Sequence, residues 1–182
     1  LSNPFDISAD VTYAGEFSLA NEGFFPTGMT FDPSGTKLFV SNANQLVVDQ
    51  YTLNTPWDVF GGANYDGSSM DISSEDDVPN DIAFNADGSK MYIIGAQKNN
   101  VYQYSLADPW NVLSGMTFDG SPFDISLQES GQTGIAFSSD YTQLFTSGRK
   151  IHQYQLHSDA FQETATDDGS VEGEIIFTLE GD

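Results

Sequence analysis

The sequence predicts an all-β chain in which one unit is written three times. Three observations carry this. Phe31, Phe84 and Phe137 recur at a spacing of 53 residues, and Tyr51, Tyr104 and Tyr154 follow at 53 and 50. The stretches FDPSGTKLFV, FNADGSKMYI and FSSDYTQLFT around them combine turn residues with β-branched and aromatic positions, the composition of a pleated, half-buried surface. No segment of useful length carries a 3.6-residue apolar period, and Pro and Gly interrupt often.

Each unit opens with a short apolar strand, GMTF, DIAF or GIAF, whose alternate residues face one side. A tight turn follows (DPSG, NADG, SSDY), then a second strand (KLFVS, KMYII, QLFTS) and a third (LVVDQYTL, NVYQYSL, KIHQYQL). In the first unit the expected strands are Gly28–Asp32, Lys37–Ser41 and Val47–Leu53. Segments opening at Pro4, Pro56 and Pro109 come next, PFDI, PWDV and PWNV. A turn ending at Gly15, Gly67, Gly120 or Gly169 then leads to a weaker fourth strand, EFSLA, SSMDIS, SPFDIS or GEIIFTL. Four short antiparallel strands in about 50 residues make one propeller blade. The expected division is residues 1–19 as the outer strand of a preceding or closing blade, then blades at 20–72, 73–125 and 126–182. The last of these has a divergent C-terminal strand. Closed propellers have about 4–8 blades, so about three blades imply a larger or oligomeric propeller. The orphan strand around Glu16–Leu19 is expected to pair with further blades or with another copy of the chain.

Composition narrows the partners. Aspartate and glutamate number 27 against 5 lysines and arginines, a net charge of −22. Such a surface repels phosphate backbones and anionic lipid, which argues against nucleic acid as a partner. No apolar stretch approaches the roughly 18 residues that cross a bilayer, so membrane insertion is not expected. The charge fits a salty medium, divalent cations or a basic partner. Cysteine is absent, which removes disulfides and thiolate metal sites.

FDPSGTKLFV and FNADGSKMYI resemble the F-x-P-D-G-x-x-L-Y-V signature of YVTN-, NHL- and TolB-like β-propeller repeats, over roughly residues 24 to 156. The longer form, VYQYSL running into PWDV-type segments and YDGSSMDIS, is similar to tandem repeats of large marine phage and bacterial surface proteins. The third copy departs, with SSDY in place of the Asp-Gly turn and Gln132 where Pro26 and Pro79 stand. The signature implies architecture, since its members perform unrelated functions.

Candidate sites follow from the loops entering each innermost strand, LANEGFFPTG, SSEDDVPND and LQESGQTG. They carry Glu22, Glu75, Asp76, Asp77 and Glu129, hard oxygen donors that suit a cation such as calcium. No recognised calcium loop occurs, so a solvated acidic loop is the plain alternative, and no cofactor is otherwise expected. Lys98, Arg149 and Lys150 fall in the loop between second and third strands and are candidates for contacting an acidic protein or an anionic glycan. Trp57 and Trp110 recur at one repeat position, which favours packing at the outer edge of each blade over sugar stacking. His152 lies in a third strand and His157 in the loop after it, away from the expected channel. There is no G-x-S-x-G, H-E-x-x-H or phosphate-binding Gly loop. The expectation is therefore a non-enzymatic propeller module of an extracellular or virion-surface protein, structural or adhesive, binding protein or glycan. The alternatives are a propeller enzyme of lactonase or lyase type completed by further blades, and a periplasmic TolB-like assembly module.

Overall fold

The computed structural model describes residues 13–19, 25–69, 71–76, 78–128 and 130–156. Among them every regular element is a strand, and all pairs are antiparallel. The first sheet runs β1 (Pro26–Phe31), β2 (Lys37–Asn42), β3 (Val47–Leu53), β4 (Ala63–Ser68) in sequence order. The second repeats it with β5 (Pro79–Phe84), β6 (Lys90–Gly95), β7 (Asn100–Asp108) and β8 (Asn111–Phe118), and a short β9 (Phe123–Asp124) also pairs with β7. The third holds β10 (Gly134–Phe137), β11 (Gln143–Ser147) and β12 (Ile151–Gln155).

The first turn of each unit works by side-chain capping. Asp32 accepts the Lys37 N–H at 2.6 Å, Asn85 accepts that of Lys90 at 2.9 Å, and Ser138 accepts that of Gln143 at 3.0 Å. Each polar side chain thus closes its own turn and starts the second strand, so three different residues serve one position. Asp32 accepts further hydrogen bonds from Ser34, and these hold its carboxyl below the usual range against the opposing effect of burial.

The fourth strand differs from the expectation. Expected after the Asp-Gly turn, it instead begins before it, and Asp-Gly is a bulge. Gly67 sits at φ 141, and the register shifts where Gln50 faces Gly67 and Tyr51 faces Tyr65. Asp66 is looped out so that its carboxylate accepts from Gln50 Nε2 at 3.0 Å and Thr52 Oγ1 at 2.7 Å. Asp119 repeats this with Gln103 Nε2 at 2.6 Å and Ser105 Oγ at 2.5 Å, and adds Lys90 Nζ at 2.6 Å. These bonds explain why the bulge stays ordered.

The sheets are joined face to face by aromatic rings. Phe39 of β2 meets Phe84 of β5 at 4.7 Å between centroids. Tyr92 of β6 meets Phe137 of β10, one repeat on, at the same 4.7 Å. A polar latch recurs beside them: Thr27 Oγ1 donates to the Pro79 carbonyl at 2.6 Å, and Asn80 Nδ2 donates to the Gln132 carbonyl at 2.5 Å. Phe39 and Phe84 are buried, whereas Phe31, Tyr92, Phe137 and Phe145 are half-buried. The segment around Glu16–Leu19 forms no strand; Phe17 instead sets its edge on Tyr51 at 5.7 Å, and Leu19 packs on the Leu38–Val40 face.

Candidate functional site

The innermost strands β1, β5 and β10 lie side by side and line a hollow of about 350 Å³. Its wall carries Met29, Ile82 and Ile135, which share one repeat position, with Asp81 among them. Asp81 follows a register shift at the start of β5. Its counterparts in the neighbouring blades are Gly28 and Gly134. A Cβ built on Gly28 would collide with Asp81 Oδ1, and one on Gly134 would lie 3.6 Å from Asp81 Oδ2. Gly28 therefore opens the space that the carboxylate fills.

Asp81 Oδ1 accepts the Ile82 N–H at 2.9 Å and Oδ2 accepts the Ile135 N–H at 3.0 Å, so the group also bridges the second and third blades. Burial pushes its carboxyl above the usual carboxylate range, and outweighs the two backbone N–H groups, which act in the opposite direction. A carboxylate offers about four lone-pair positions. Two remain for water or a substrate proton, in a wall that presents both polar and apolar groups. A carboxyl with a raised pKa is a stronger base when ionised.

Aromatic rings close the end of the hollow at the first turns. Trp57 tilts over Phe31 at 5.2 Å, Trp110 over Phe84 at 4.8 Å, and Tyr141 over Phe137 at 5.8 Å. The tryptophans were expected at the outer blade edges. Their left-handed backbone, φ 64 and φ 55, instead folds each ring back onto the turn glycine of its unit, Gly35 or Gly88, and onto the innermost strand. Tyr141 stands at the glycine position itself with φ 57, and its own ring supplies the cover.

The residues expected to form sites are placed elsewhere. Asp76 is buried and accepts the N–H groups of Val78 at 2.8 Å and Lys98 at 3.0 Å, with the Tyr102 hydroxyl at 3.4 Å. Burial pushes that hydroxyl up to about 12. Asp76 thereby holds the 96–99 turn, as Asn42 holds the equivalent turn of the first blade through Asn44 and Gln45. Glu75 is half-buried beside it, while Glu22, Asp77 and Glu129 lie outside the described residues. Among the described residues no three Asp, Glu or His side chains converge as ligands for a metal ion. Lys98 Nζ donates to the Ser74 carbonyl at 3.0 Å, and Arg149 and Lys150 are exposed in the β11–β12 turn. His152 is half-buried on β12, opposite Thr146, and His157 lies outside the described residues.

No protein-family model matches the chain, and no curated protein matches it. Solved structures do. A candidate 6-phosphogluconolactonase from Bacteroides uniformis ATCC 8492 superposes with a TM-score of 0.54 at 15% identity, over 81% of this chain and 39% of that one. The periplasmic gluconolactonase PpgL of Pseudomonas aeruginosa gives 0.50 at 14% identity, over 80% and 39%. A protein of unknown function from Desulfotomaculum acetoxidans gives 0.51 at 19%, over 83% and 42%. The fold is a β-propeller. The chain spans about two fifths of the length of these propellers.

These neighbours correct one expectation. The chain was expected not to be an enzyme, because it carries no nucleophile or metal motif. Propellers named as lactonases now stand among the structures it resembles. Asp81 shows that a carboxyl perturbed by burial can stand on a strand with no sequence motif around it.

Proposed function

We propose that the chain supplies blades of a propeller enzyme of lactonase type, with Asp81 as its acid–base group. The observation that carries this reading is the Asp81 carboxyl, raised by burial and set in the hollow between the innermost strands. The lactonase names of the similar propellers support the reaction class. In this reading the ionised carboxylate takes a proton from a water molecule as the water oxygen bonds to the acyl carbon of a cyclic ester. The ring C–O bond then breaks, and Asp81 returns the proton to the departing oxygen, leaving a hydroxy acid. The net charge of −22 supports an extracellular or virion-surface setting, and the PWDV-type segments support kinship with phage and bacterial surface repeats.

The test is acid release from a set of five- and six-membered sugar lactones. The native chain should accelerate ring opening, and Asp81→Asn should abolish the acceleration with its β-sheet circular dichroism unchanged. Asp124→Asn, at an exposed carboxylate outside the hollow, should leave it intact. No acceleration by the native chain, or an Asp81→Asn variant as fast as the native, would end the proposal.

A further inference from the structure

The two junctions inside the chain differ in chemistry. The side offered by the earlier blade is nearly the same in both: Phe39, Val48 and Ile72 in the first junction, Tyr92, Val101 and Ile125 in the second. The receiving side changes. Pro79, Ile93 and Tyr102 of the second blade become Gln132, Thr146 and His152 of the third. Threonine is smaller than isoleucine, and imidazole is smaller than phenol. The third blade therefore brings more polar atoms, and less bulk at two positions, to a partner surface that is nearly unchanged.

Register places these residues on one face. Thr146 stands opposite Ile135 on one side and His152 on the other, and Leu144 stands likewise opposite Phe137 and Tyr154. This is the face that packs on Ile94 and Val101 of the second blade. Gln132 continues it, since its counterpart Pro79 pairs with Gly95, two residues along β6 from Ile93. Gln132 and Thr146 are 0% and 1% exposed, yet neither the Gln132 amide nor the Thr146 hydroxyl has a hydrogen-bond partner among the described residues. The Tyr154 hydroxyl and Gln128 Oε1 are buried in the same way. The Thr146 hydroxyl is near enough to Tyr154 to act on its acidity, but the two are not aligned for a direct hydrogen bond. Gln128 holds the position from which Glu75 acts on Tyr104, the counterpart of Tyr154.

Buried amides and hydroxyls are almost always paired, because an unpaired one gives up its hydration without return. We propose that this junction holds ordered water, at a site formed by Gln132, Thr146 and Tyr154 with Gln128 at its rim. Water is the occupant because the groups are uncharged, include both donors and acceptors, and lie closed between two blades where side-chain bulk is reduced. A buried water typically makes about three hydrogen bonds to groups that lack other partners. Here it accepts from the Gln132 amide or a hydroxyl and donates to an amide oxygen, so it ties the entry of β10 to β11 and β12. The first junction has Pro79 and Ile93 at these places and stays dry between them.

The test is a high-resolution crystal structure of the native chain and of variants with Gln132→Met, Thr146→Val and both. The native chain should show a water within about 2.7–3.2 Å of the Gln132 amide and of the Thr146 or Tyr154 hydroxyl, and none between Pro79 and Ile93. The double variant should lack that water. A Gln132 amide bonded directly to another side chain, or with no water beside it, would overturn the proposal. Urea unfolding supplies a second readout. Each single substitution leaves the shared water short of a partner and should lower the folding equilibrium constant about tenfold. The double variant removes the amide and the hydroxyl together with the water, so its loss should be smaller than the product of the two single losses. Losses that simply multiply would contradict a shared water.

Discussion

Removing the Phe84 ring tests how the blades are held together. Phe84 is buried and meets Phe39 of the first blade at 4.7 Å and Trp110 at 4.8 Å, and those two rings also meet each other at 6.4 Å. Truncation to Ala removes the buried ring against which both of the others pack. We therefore expect a loss of about 4–5 kcal/mol, the upper part of the usual range for such a change. Phe31 is its counterpart one repeat earlier, but it is half-buried, and among the described residues its ring meets that of Trp57 alone. Phe31→Ala should cost about 2 kcal/mol. The assay is urea unfolding followed by circular dichroism and tryptophan fluorescence. Coincidence of the two signals checks that one cooperative transition is being measured. A Phe84→Ala loss below about 1 kcal/mol, or equal losses at the two positions, would show that the Phe39–Phe84 contact does not hold the junction.

Other outcomes follow from single contacts. Gly88→Ala should destabilise by about 1–2 kcal/mol, because φ 73 disfavours a side chain and the Trp110 ring occupies the place of the new Cβ; thermal unfolding reads this, and an unchanged midpoint would refute it. Tyr141→Gly relieves the left-handed strain but uncovers Phe137, so it should gain far less than the strain alone suggests, and a gain above about 1 kcal/mol would mean the ring contributes nothing. Asp119→Ala removes the acceptor shared by Lys90, Gln103 and Ser105, groups that water can reach, and should cost about 0.5–1 kcal/mol in urea unfolding. The pH response has two limbs. The Asp119 carboxyl is held low by Gln103, Lys90 and Ser105 against burial, so its stabilisation is present above the ordinary value of 3.8 and lost as pH falls through the lower folded value. The Asp81 carboxyl is raised by burial, so its contribution is complete below 3.8 and lost as pH rises through the higher folded value. The stability difference, native minus Asp81→Asn, should accordingly shrink with rising pH, and a constant difference would contradict the raised value.

Much of the architecture was legible because it is written three times. Strand order and the first turns follow from residues such as Asp32, Asn85 and Ser138, whose different side chains reach the same backbone N–H. The bulge at Asp66 was less legible. Asp-Gly reads as a turn by local preference, and only its pairing with Gln50 and Thr52 on the adjacent strand reveals a bulge. The same Gln-x-Thr/Ser spacing at Gln103 and Ser105 was the available signal. The tryptophans were misplaced because left-handed φ at a Trp has no sequence signature. Asp81 escaped notice for the opposite reason: it occurs once, and the acidic loop just before it drew attention to Glu75 and Asp76. What marks Asp81 is a carboxylate at a position where both neighbouring blades have glycine, which only the aligned repeat brings out.

The measurement closest to the central claim is the pH dependence of kcat/KM for lactone ring opening by the native chain. A general base with the environment of Asp81 predicts a rate that rises with pH through a midpoint above 3.8 and then levels. Asp81→Asn should remove that titration along with the activity. A rate that simply follows hydroxide concentration, with no enzyme midpoint, or a midpoint that survives Asp81→Asn, would contradict the assignment of the chemistry to this carboxyl.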